Sequence, residues 1–202
     1  KVRPGQVRDV AEIDTMYALR SLARRHTNFD EEITDLEQRM RARVTAANPG
    51  LMAINGVGAV VGAQLLITGG DNPDRLRNSA SFAALCGTAP IPVSSGRTDR
   101  HRLSRGGDRQ ANAALHHIAK VRLSCDPKTR AYRDERLAKG WTTAAVFRAL
   151  KRAIAREIFQ ALNGNCTVPD YSDLRPARRA KNITLTAAAQ RLNVWPARIG
   201  EL

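Results

Sequence analysis

The segment Gly87–Arg109, with the sequence GTAPIPVSSGRTDRHRLSRGGDR, separates two segments whose apolar residues recur at helical intervals. Its two prolines interrupt helical structure, and its internal glycines permit backbone conformations with positive φ. The serines Ser94 and Ser95 lie between these stiff and flexible parts. The pattern therefore predicts a loop that presents a serine, and within it only the region Val93–Leu103 suits a short β-hairpin.

Basic side chains surround the two serines. Five arginines of the segment outnumber its two acidic residues, Asp99 and Asp108. Guanidinium groups bind phosphates through charge-assisted hydrogen bonds, so a phosphate backbone is the expected partner of this loop. A solvated basic loop without a ligand has the same composition, and composition alone does not choose between the two interpretations. The candidate phosphate-binding residues are Arg97, Arg100, Arg102, Arg105 and Arg109.

The overall charge also indicates a polyanionic partner. The chain has 202 residues, 33 basic against 19 acidic, a formal net charge of +14 and a pI near 10.9. Such a charge attracts polyanions over about one Debye length, ~8–10 Å. Nucleic acid is the expected partner. A membrane is not, because no helical segment combines a basic face with Trp and Phe on the other face.

The cysteines indicate a reducing compartment. Cys86, Cys125 and Cys166 lie far apart without a C-x-x-C pair, so we expect no disulfide and no metal site in this chain. The most apolar stretch, Leu51–Ile67, is shorter than the ~20 residues of a bilayer span, and no signal peptide precedes it. We therefore expect a cytoplasmic protein, and the first residue, Lys1 instead of an initiator Met, suggests a fragment of a longer one.

Residues 1–48 are predicted to form a long helical arm. Apolar residues recur at helical intervals between Val10 and Val44, and the spacing of Ile33, Leu36 and Met40 is typical of a coiled-coil seam. One helix over that span would be ~50 Å long. The arm is interpreted as an oligomerisation element, with an ordinary helix packed on the core as the alternative.

The segment Ile54–Gly58 reads INGVG and lies between two apolar helical runs. This pattern resembles a helix-hairpin-helix, in which a Gly-x-Gly turn directs backbone N–H groups of the next helix at a DNA phosphate. Gly56 and Gly58 are therefore candidate DNA-binding residues. A purely structural turn between two helices is the alternative.

Residues 49–164 are predicted to form one helical domain. Its further helices are expected to begin at capping residues, to bury an apolar face and to end near Gly87, Ser124, Gly140 and Gly164. The outer face of the last helix is expected to carry basic side chains in solvent, with a second phosphate-binding track as the alternative. The predicted caps are Ser79, Asp108, Asp126 and either Thr142 or Thr143, and the predicted outer-face residues are Arg148, Lys151, Arg152 and Arg156.

Residues 165–202 differ in character and form a basic linker followed by a possible partial helix-turn-helix. Ala187–Leu192 would be its first helix and Trp195 would open a truncated recognition helix. Two helices cannot bury a stable core on their own. The predicted fold class is thus mainly α: a helix-hairpin-helix-containing helical domain preceded by a long coiled-coil-like helical arm.

Three motifs together resemble one protein family. They are INGVG at Ile54–Gly58, FAALCGTAP at Phe82–Pro90, and SSGR followed by SRGGDR at Ser104–Arg109. In this order they resemble the C-terminal transposase domain of the bridge-RNA-guided insertion-sequence recombinases, also called DEDD transposases. The resemblance covers about residues 51–162, and the preceding helices are similar to that family's coiled-coil linker.

The resemblance implies a chemistry and a set of partners. In the family the nucleophile is the serine directly before the glycine of the S-G pair, which is Ser95 here, with Ser94 beside it. The family implies a dimeric or tetrameric recombinase that cuts and rejoins DNA through a serine–phosphate bond, at sites chosen by a structured guide RNA. Members also have an N-terminal RuvC-like domain with four acidic metal-binding residues. Since this sequence lacks it, we expect Mg²⁺ to bind there and the isolated chain to bind DNA or RNA without recombining it.

The residues fit this chemistry in part. Phosphoryl transfer requires that developing negative charge be neutralised, which the arginines can do, and a serine also needs a base or metal to remove its proton. No residue of this chain is identified for that second task.

Other nucleic-acid functions share these features. A non-catalytic helix-hairpin-helix module would bind DNA or RNA without forming an adduct. A lysine-dependent DNA glycosylase would have a lysine where this chain has Val60, and the few aromatic residues leave little for stacking a flipped base. An RNA-binding protein would prefer folded RNA to duplex DNA.

Overall fold

The computed structural model describes residues 9–70, 76–95, 98–102, 104, 106–166, 168 and 174–192, and for residues 94, 95 and 98–100 it describes the backbone. The chain divides into two compact units, Lys1–Cys166 and Thr167–Leu202. The prediction of a mainly α fold with a long first helix is confirmed, because the described part of the chain is mostly helical and its sheet has two strands. The helix-hairpin-helix interpretation stays a prediction.

The first unit begins with one long helix, α1 (Val10–Ala47), as predicted for the arm. Its 38 residues give a length of about 57 Å at ~1.5 Å per residue. The helix ends at Asn48, whose side chain accepts a hydrogen bond from Leu51 N (2.8 Å) and donates one to Ala161 O (2.9 Å). Asn48 therefore ends α1, caps the next helix and ties both to the core.

Two short helices follow, α2 (Pro49–Ala53) and α3 (Ala59–Gly69), joined by the turn that contains INGVG. Helix α4 (Ser79–Leu85) comes next. Its cap is Asn78, whose side chain accepts the hydrogen bond from Ser81 N at 2.9 Å. The prediction that Ser79 is the cap is therefore wrong. The helix therefore begins one residue earlier than a Ser79 cap would place it.

The serine-containing segment forms a β-hairpin. Strands β1 (Ile91–Ser95) and β2 (Thr98–Arg102) pair antiparallel, with Ile91 opposite Arg102 and Ser95 opposite Thr98. The sequence predicted a loop and allowed a short hairpin only within Val93–Leu103, whereas β1 begins before Val93 and includes Pro92. A proline is compatible with a strand at the edge of a sheet, and both strands of a two-stranded sheet are edges.

Three helices complete the first unit: α5 (Arg109–Cys125), α6 (Pro127–Ala138) and α7 (Thr143–Leu162). The predicted caps Asp108 and Asp126 are confirmed, and of the two candidates for α7 the cap is Thr142 and not Thr143. Each of the three side chains accepts hydrogen bonding from the first turn of its helix. Helices α5 and α7 pack against each other at the centre of the unit. The core is built from large side chains with almost no exposure: Leu51, Leu65, Phe82, Leu115, Ile118, Val146, Ile154 and Ile158.

The second unit contains α8 (Leu174–Ala180) and α9 (Leu185–Leu192). Arg178 donates a hydrogen bond to Ile183 O at 2.7 Å, and Thr184 accepts one from Ala187 N at 3.1 Å at the start of α9. The predicted recognition helix from Trp195 onward lies outside the described residues, so the helix-turn-helix stays a prediction.

Candidate nucleic-acid interface

The two ends of the hairpin segment meet at a pair of glycines. Gly87 has φ +63° and Gly107 has φ +91°. A Cβ atom on Gly87 would lie 2.5 Å from the carbonyl oxygen of Gly106, and one on Gly107 would lie 2.5 Å from that of Leu85. The backbone N–H of Asp108 donates to Leu85 O at 2.7 Å. This close crossing, which we call the hairpin clamp, determines where the hairpin leaves the helical core.

A buried lysine supports the clamp from α7. Asn112 donates through Nδ2 to Cys86 O (2.7 Å) and to Gly87 O (3.3 Å), and its Oδ1 accepts a hydrogen bond from Lys151 Nζ (2.8 Å). Lys151 is only 9% exposed. Burial, together with the nearby Arg148 charge, lowers the pKa of the Lys151 ammonium group.

The burial of Lys151 corrects the prediction that this residue lies in solvent on the outer face of α7. Position 151 follows Phe147 by four residues and precedes Ile154 by three, so it belongs to the apolar stripe of the helix. That spacing could have revealed the site from the sequence. The partner that makes burial acceptable, Asn112, lies 39 residues away and could not.

Asp108 connects the clamp to α3. Its Oδ2 accepts a hydrogen bond from the buried Thr68 hydroxyl (2.7 Å), and its Oδ1 caps α5. The Thr68 hydrogen bond is the main cause that lowers the pKa of Asp108, with contributions from backbone N–H groups and a smaller opposing effect of burial. Burial, with the Asp108 charge second, raises the pKa of the neighbouring Cys86 thiol to about 12, so this thiol is not a nucleophile at neutral pH.

A cleft of about 850 Å³ opens beside the clamp. It lies between the base of the hairpin, the turn that joins α6 to α7, and the first half of α7. None of its lining residues, all of which the structure describes, is acidic. The basic residues that line it are His101, Arg102, Arg148, Lys151 and Arg152, and Trp141 is its aromatic residue.

The structure places the predicted serine-loop residues at different parts of the hairpin. Ser95 ends β1, next to the tip of the hairpin, and Arg100 lies within β2. Arg102 is exposed at the base and lines the cleft with Arg148 and Arg152, whereas Arg109 is exposed at the first position of α5 and does not line it. Arg97 and Arg105 lie outside the described residues. Of the five predicted arginines, Arg102 is therefore the one that the described structure brings to the cleft.

The two predicted hairpin glycines of INGVG differ in their surroundings. Gly56 has φ +87°, and a Cβ atom on it would lie 3.2 Å from Ile118 Cγ2 of α5. Gly58 caps α3 without a side-chain hydrogen bond, and a Cβ atom there would meet nothing within 4 Å. Gly56 is therefore required by the fold, while Gly58 leaves the start of α3 open to a ligand.

Arg122 holds this turn against α5. Its Nε donates to Asn55 O at 2.8 Å, and its Nη1 lies 2.7 Å from a carboxylate oxygen of Glu157 on α7. Neither the residue nor the contact was predicted from the sequence. These contacts fix the INGVG turn to α5 and α7.

The part of the chain that the structure describes contains no group of three or more His, Cys, Asp or Glu side chains arranged to hold a metal ion. Among the described helices, none has both the length and the hydrophobicity needed to span a bilayer.

Comparison with known proteins shows similarity to one family and to two insertion-element proteins. Residues 48–134, which include the INGVG turn, the hairpin and the clamp, match the sequence profile of the Transposase IS116/IS110/IS902 family. The chain is 35% identical over 140 residues to the insertion element IS110 uncharacterized 43.6 kDa protein of Streptomyces coelicolor, which covers 67% of this chain and 34% of that protein. It is 28% identical over 173 residues to the insertion element IS900 uncharacterized 42 kDa protein of Mycobacterium paratuberculosis, covering 83% of this chain and 40% of that protein.

The chain is therefore similar, over residues 48–134, to transposases of the IS116/IS110/IS902 family. The matched region spans about a third of the length of the first relative and two fifths of the second.

Proposed function

We propose that this chain is the part of an insertion-sequence transposase that binds DNA and supplies Ser95 as the nucleophile for strand cleavage and rejoining. The observation that carries the proposal is the match of residues 48–134 to a transposase family, because the hairpin with Ser95 lies inside that match. The clamp adds physical support. It joins a serine-bearing hairpin rigidly to a helical core, as a nucleophile that must meet one phosphate requires.

The chemical step exchanges one phosphate ester for another. Attack by Ser95 Oγ on a phosphodiester forms a serine–phosphorus bond and breaks one phosphorus–oxygen bond of the strand, and the departing deoxyribose oxygen takes up a proton. A hydroxyl of a second strand then reverses the exchange and frees the serine. Each step trades like bonds, so no ATP is required. Arginines of the hairpin and cleft would neutralise the charge that develops on phosphate, a role in which one lost donor costs ~10²–10³ in rate.

The described residues do not fit the Mg²⁺ that the resemblance implies, since they hold no cluster of metal ligands. We accordingly derive no step through a metal. In a complete transposase, carboxylates from a domain that this chain does not supply would be the place to look for the ion.

DNA binding by the INGVG turn is a further part of the proposal. Open space at Gly58 and the N-terminus of α3 suit a phosphate, because the first N–H groups of a helix and its dipole attract anions. Such contacts carry no base sequence, so site choice would fall to another partner. We propose a structured guide RNA for this task.

The exposed apolar seam of α1 supports a homo-oligomer. A heptad pattern runs along the helix through residues that other parts of the described structure leave largely uncovered: Leu22, Phe29, Ile33 and Leu36 are 59%, 56%, 54% and 52% exposed. Apolar residues at alternating spacings of three and four are typical of a coiled-coil seam. A second copy of α1 would cover this seam. Dimers, or tetramers built from them, follow from that pairing.

The decisive test is trapping of the covalent intermediate. A full-length transposase containing this chain, supplied with guide RNA and labelled donor DNA, should give a protein–DNA adduct on a denaturing gel. Ser95→Ala should abolish the adduct and leave DNA binding near that of the unaltered protein, whereas the matched control Ser94→Ala should retain it.

Other outcomes would redirect the proposal. Loss of the adduct in Ser94→Ala alone would move the nucleophile by one residue. An adduct that persists in the double variant would exclude serine chemistry at this hairpin. Tight DNA binding without any adduct from the unaltered protein would favour the alternative, a non-catalytic binding module.

A further inference from the structure

Trp141 lies at the rim of the cleft, where its backbone and its ring both contact α6. It follows Gly140, which has φ +80°, and its backbone N–H donates to Arg136 O at 3.0 Å. The Arg136 guanidinium carbon lies 4.8 Å from the centroid of the Trp141 ring and 5.0 Å from that of Tyr132. The guanidinium therefore lies within cation–π distance of both aromatic rings, and it covers part of one face of the indole.

The remaining ring surface faces solvent and the cleft. Trp141 is 39% exposed, a large fraction for an indole in a helical unit whose core contains residues such as Phe82 at 0%. An exposed aromatic ring with its other face backed by a cation is a platform for a second planar group.

The opposite side of the cleft offers positive charge. Arg148 and Arg152 lie four residues apart on α7 and so project from the same face of the helix, and Arg102 reaches the cleft from the base of β2. Arg152 also donates a hydrogen bond to Ser79 O at 3.4 Å, which holds its side chain near the cleft. The site thus combines an aromatic platform with several guanidinium groups and no carboxylate among its described lining residues.

This combination selects one kind of ligand. A nucleotide combines a planar aromatic base with a phosphate, and a cleft of about 850 Å³ falls within the ~300–1,000 Å³ typical of pockets for small organic molecules. A nucleotide in the interior of an intact duplex cannot use the platform, because both faces of its base are covered by neighbouring base pairs. Away from the ends of a duplex, an unpaired, unstacked nucleotide is the one with a free ring face.

We propose that the cleft binds one unpaired nucleotide of a nucleic-acid strand, with its base stacked on Trp141 and a flanking phosphate bound by Arg148 and Arg152. The inference rests on the proposed function, which brings nucleic acid to this surface, and it adds a subsite that reads strand opening. It lies at the base of the hairpin that carries Ser95. A strand melted near the cleavage position and a loop of a guide RNA are the two sources of such a nucleotide.

The test uses the 202-residue chain with Trp195→Phe, which leaves Trp141 as its single tryptophan. Four probes are titrated: a fully paired DNA duplex, the same duplex with a one-nucleotide bulge, the bulged duplex with an abasic site in place of the unpaired nucleotide, and a bulged RNA duplex. Indole fluorescence reports stacking, and a dye on the nucleic acid reports affinity.

We expect the bulged duplex to quench Trp141 fluorescence and to bind more tightly than its abasic counterpart by roughly 5- to 150-fold, the range measured for one base on an aromatic side chain. Trp141→Ala should remove this difference without changing affinity for the paired duplex. Trp141→Phe should keep part of it. The control Tyr17→Ala, which removes an exposed aromatic ring from α1, should change neither.

Loss of Trp141 could also loosen Arg136, so thermal unfolding of each variant is measured alongside. Arg148→Gln provides a second test that leaves the aromatic stack intact, and it should weaken the bulged and abasic probes by the same factor. Preference for bulged RNA over bulged DNA would assign the site to a guide, and the reverse preference to a melted DNA strand.

Equal affinity for the bulged and abasic probes, with unchanged fluorescence and intact duplex binding, would overturn this inference and leave the proposed function standing. Failure of the unaltered chain to bind any of the four probes would overturn both.

Discussion

Replacing Gly107 by alanine should destabilise the protein far more than the same replacement at Gly106, the residue before it. Gly107 has φ +91°, and a Cβ atom on it would lie 2.5 Å from Leu85 O and 2.7 Å from Gly87 N. A Cβ atom on Gly106 would meet nothing within 4 Å, and Gly106 is exposed. The same Gly→Ala substitution at two adjacent positions should therefore have very different effects on stability.

The expected magnitude follows from two costs. A left-handed backbone costs a residue with a Cβ atom about 1–2 kcal/mol. The close approach to Leu85 O requires the backbone to move, which breaks the hydrogen bond from Asp108 N to that oxygen (2.7 Å) at a further cost of about 0.5–1.5 kcal/mol. Gly107→Ala should therefore lower the free energy of unfolding by about 1.5–3.5 kcal/mol. Gly106→Ala, as a surface change, should stay within about 0.5 kcal/mol.

The assay is urea unfolding of both variants and the unaltered chain, followed by far-UV circular dichroism and by Trp141 fluorescence in the Trp195→Phe background. The fluorescence signal reports the first unit, because Trp141 belongs to it. Comparable shifts of the two midpoints, or a change below about 0.5 kcal/mol in Gly107→Ala, would refute the clamp as described.

Three further predictions address the INGVG turn, the acid sensitivity of the fold and α1. Gly58→Val should weaken binding to all DNA duplexes by a similar factor and preserve helical content, and a loss confined to one DNA sequence would contradict a phosphate contact. Gly56→Ala should lower stability, because Gly56 has φ +87° and lies against α5. The pKa of Asp108 is lowered in the folded state, so its stabilising effect is present above the ordinary carboxyl pKa and is lost as pH falls through the folded-state value. Asp108→Asn should therefore flatten the dependence of the free energy of unfolding on pH in that acidic range. An unchanged slope in unfolding measurements at acidic pH would contradict this. Phe29→Glu should lower the mass measured by light scattering from that of an oligomer to that of a monomer, because Phe29 is an exposed residue of the α1 seam. Glu31→Gln on the same helix is the control and should leave the mass unchanged. An unchanged mass in both variants would show that the seam does not hold an oligomer together.

Local patterns in the sequence were sufficient for most of the helical framework. Asp108, Asp126 and Thr142 were predicted as caps and are caps, because a capping side chain contacts N–H groups only two or three residues away. The cap of α4 shows the limit of such patterns, since Ser79 was predicted and Asn78 is the cap. Both residue types cap helices well, and the sequence does not decide between two that are adjacent. The prolines and glycines between α4 and α5 excluded a helix and allowed a short hairpin, but they did not predict that the segment would pair as two strands.

The relationship to a transposase family was likewise accessible from the sequence, because it depends on the order of short motifs. The role of Ser95 depends on the same resemblance and stays a prediction, as do the contributions of Arg97 and Arg105, which lie outside the described residues. The helix-hairpin-helix interpretation of INGVG and the binding of a guide RNA also stay predictions.

Periodicity, capping and charge in the sequence were enough to predict a mostly helical chain with a long first helix, a basic loop and a strong attraction to polyanions. Only the tertiary structure brought Lys151 to Asn112, Thr68 to Asp108 and Arg102 to the cleft of Trp141. These partners are separated by about 40 residues of chain, and no local pattern encodes which of many polar residues will meet. The meeting is decided by how α3, α5 and α7 bury their apolar faces against one another, because that packing leaves each buried polar group only the partners within its reach.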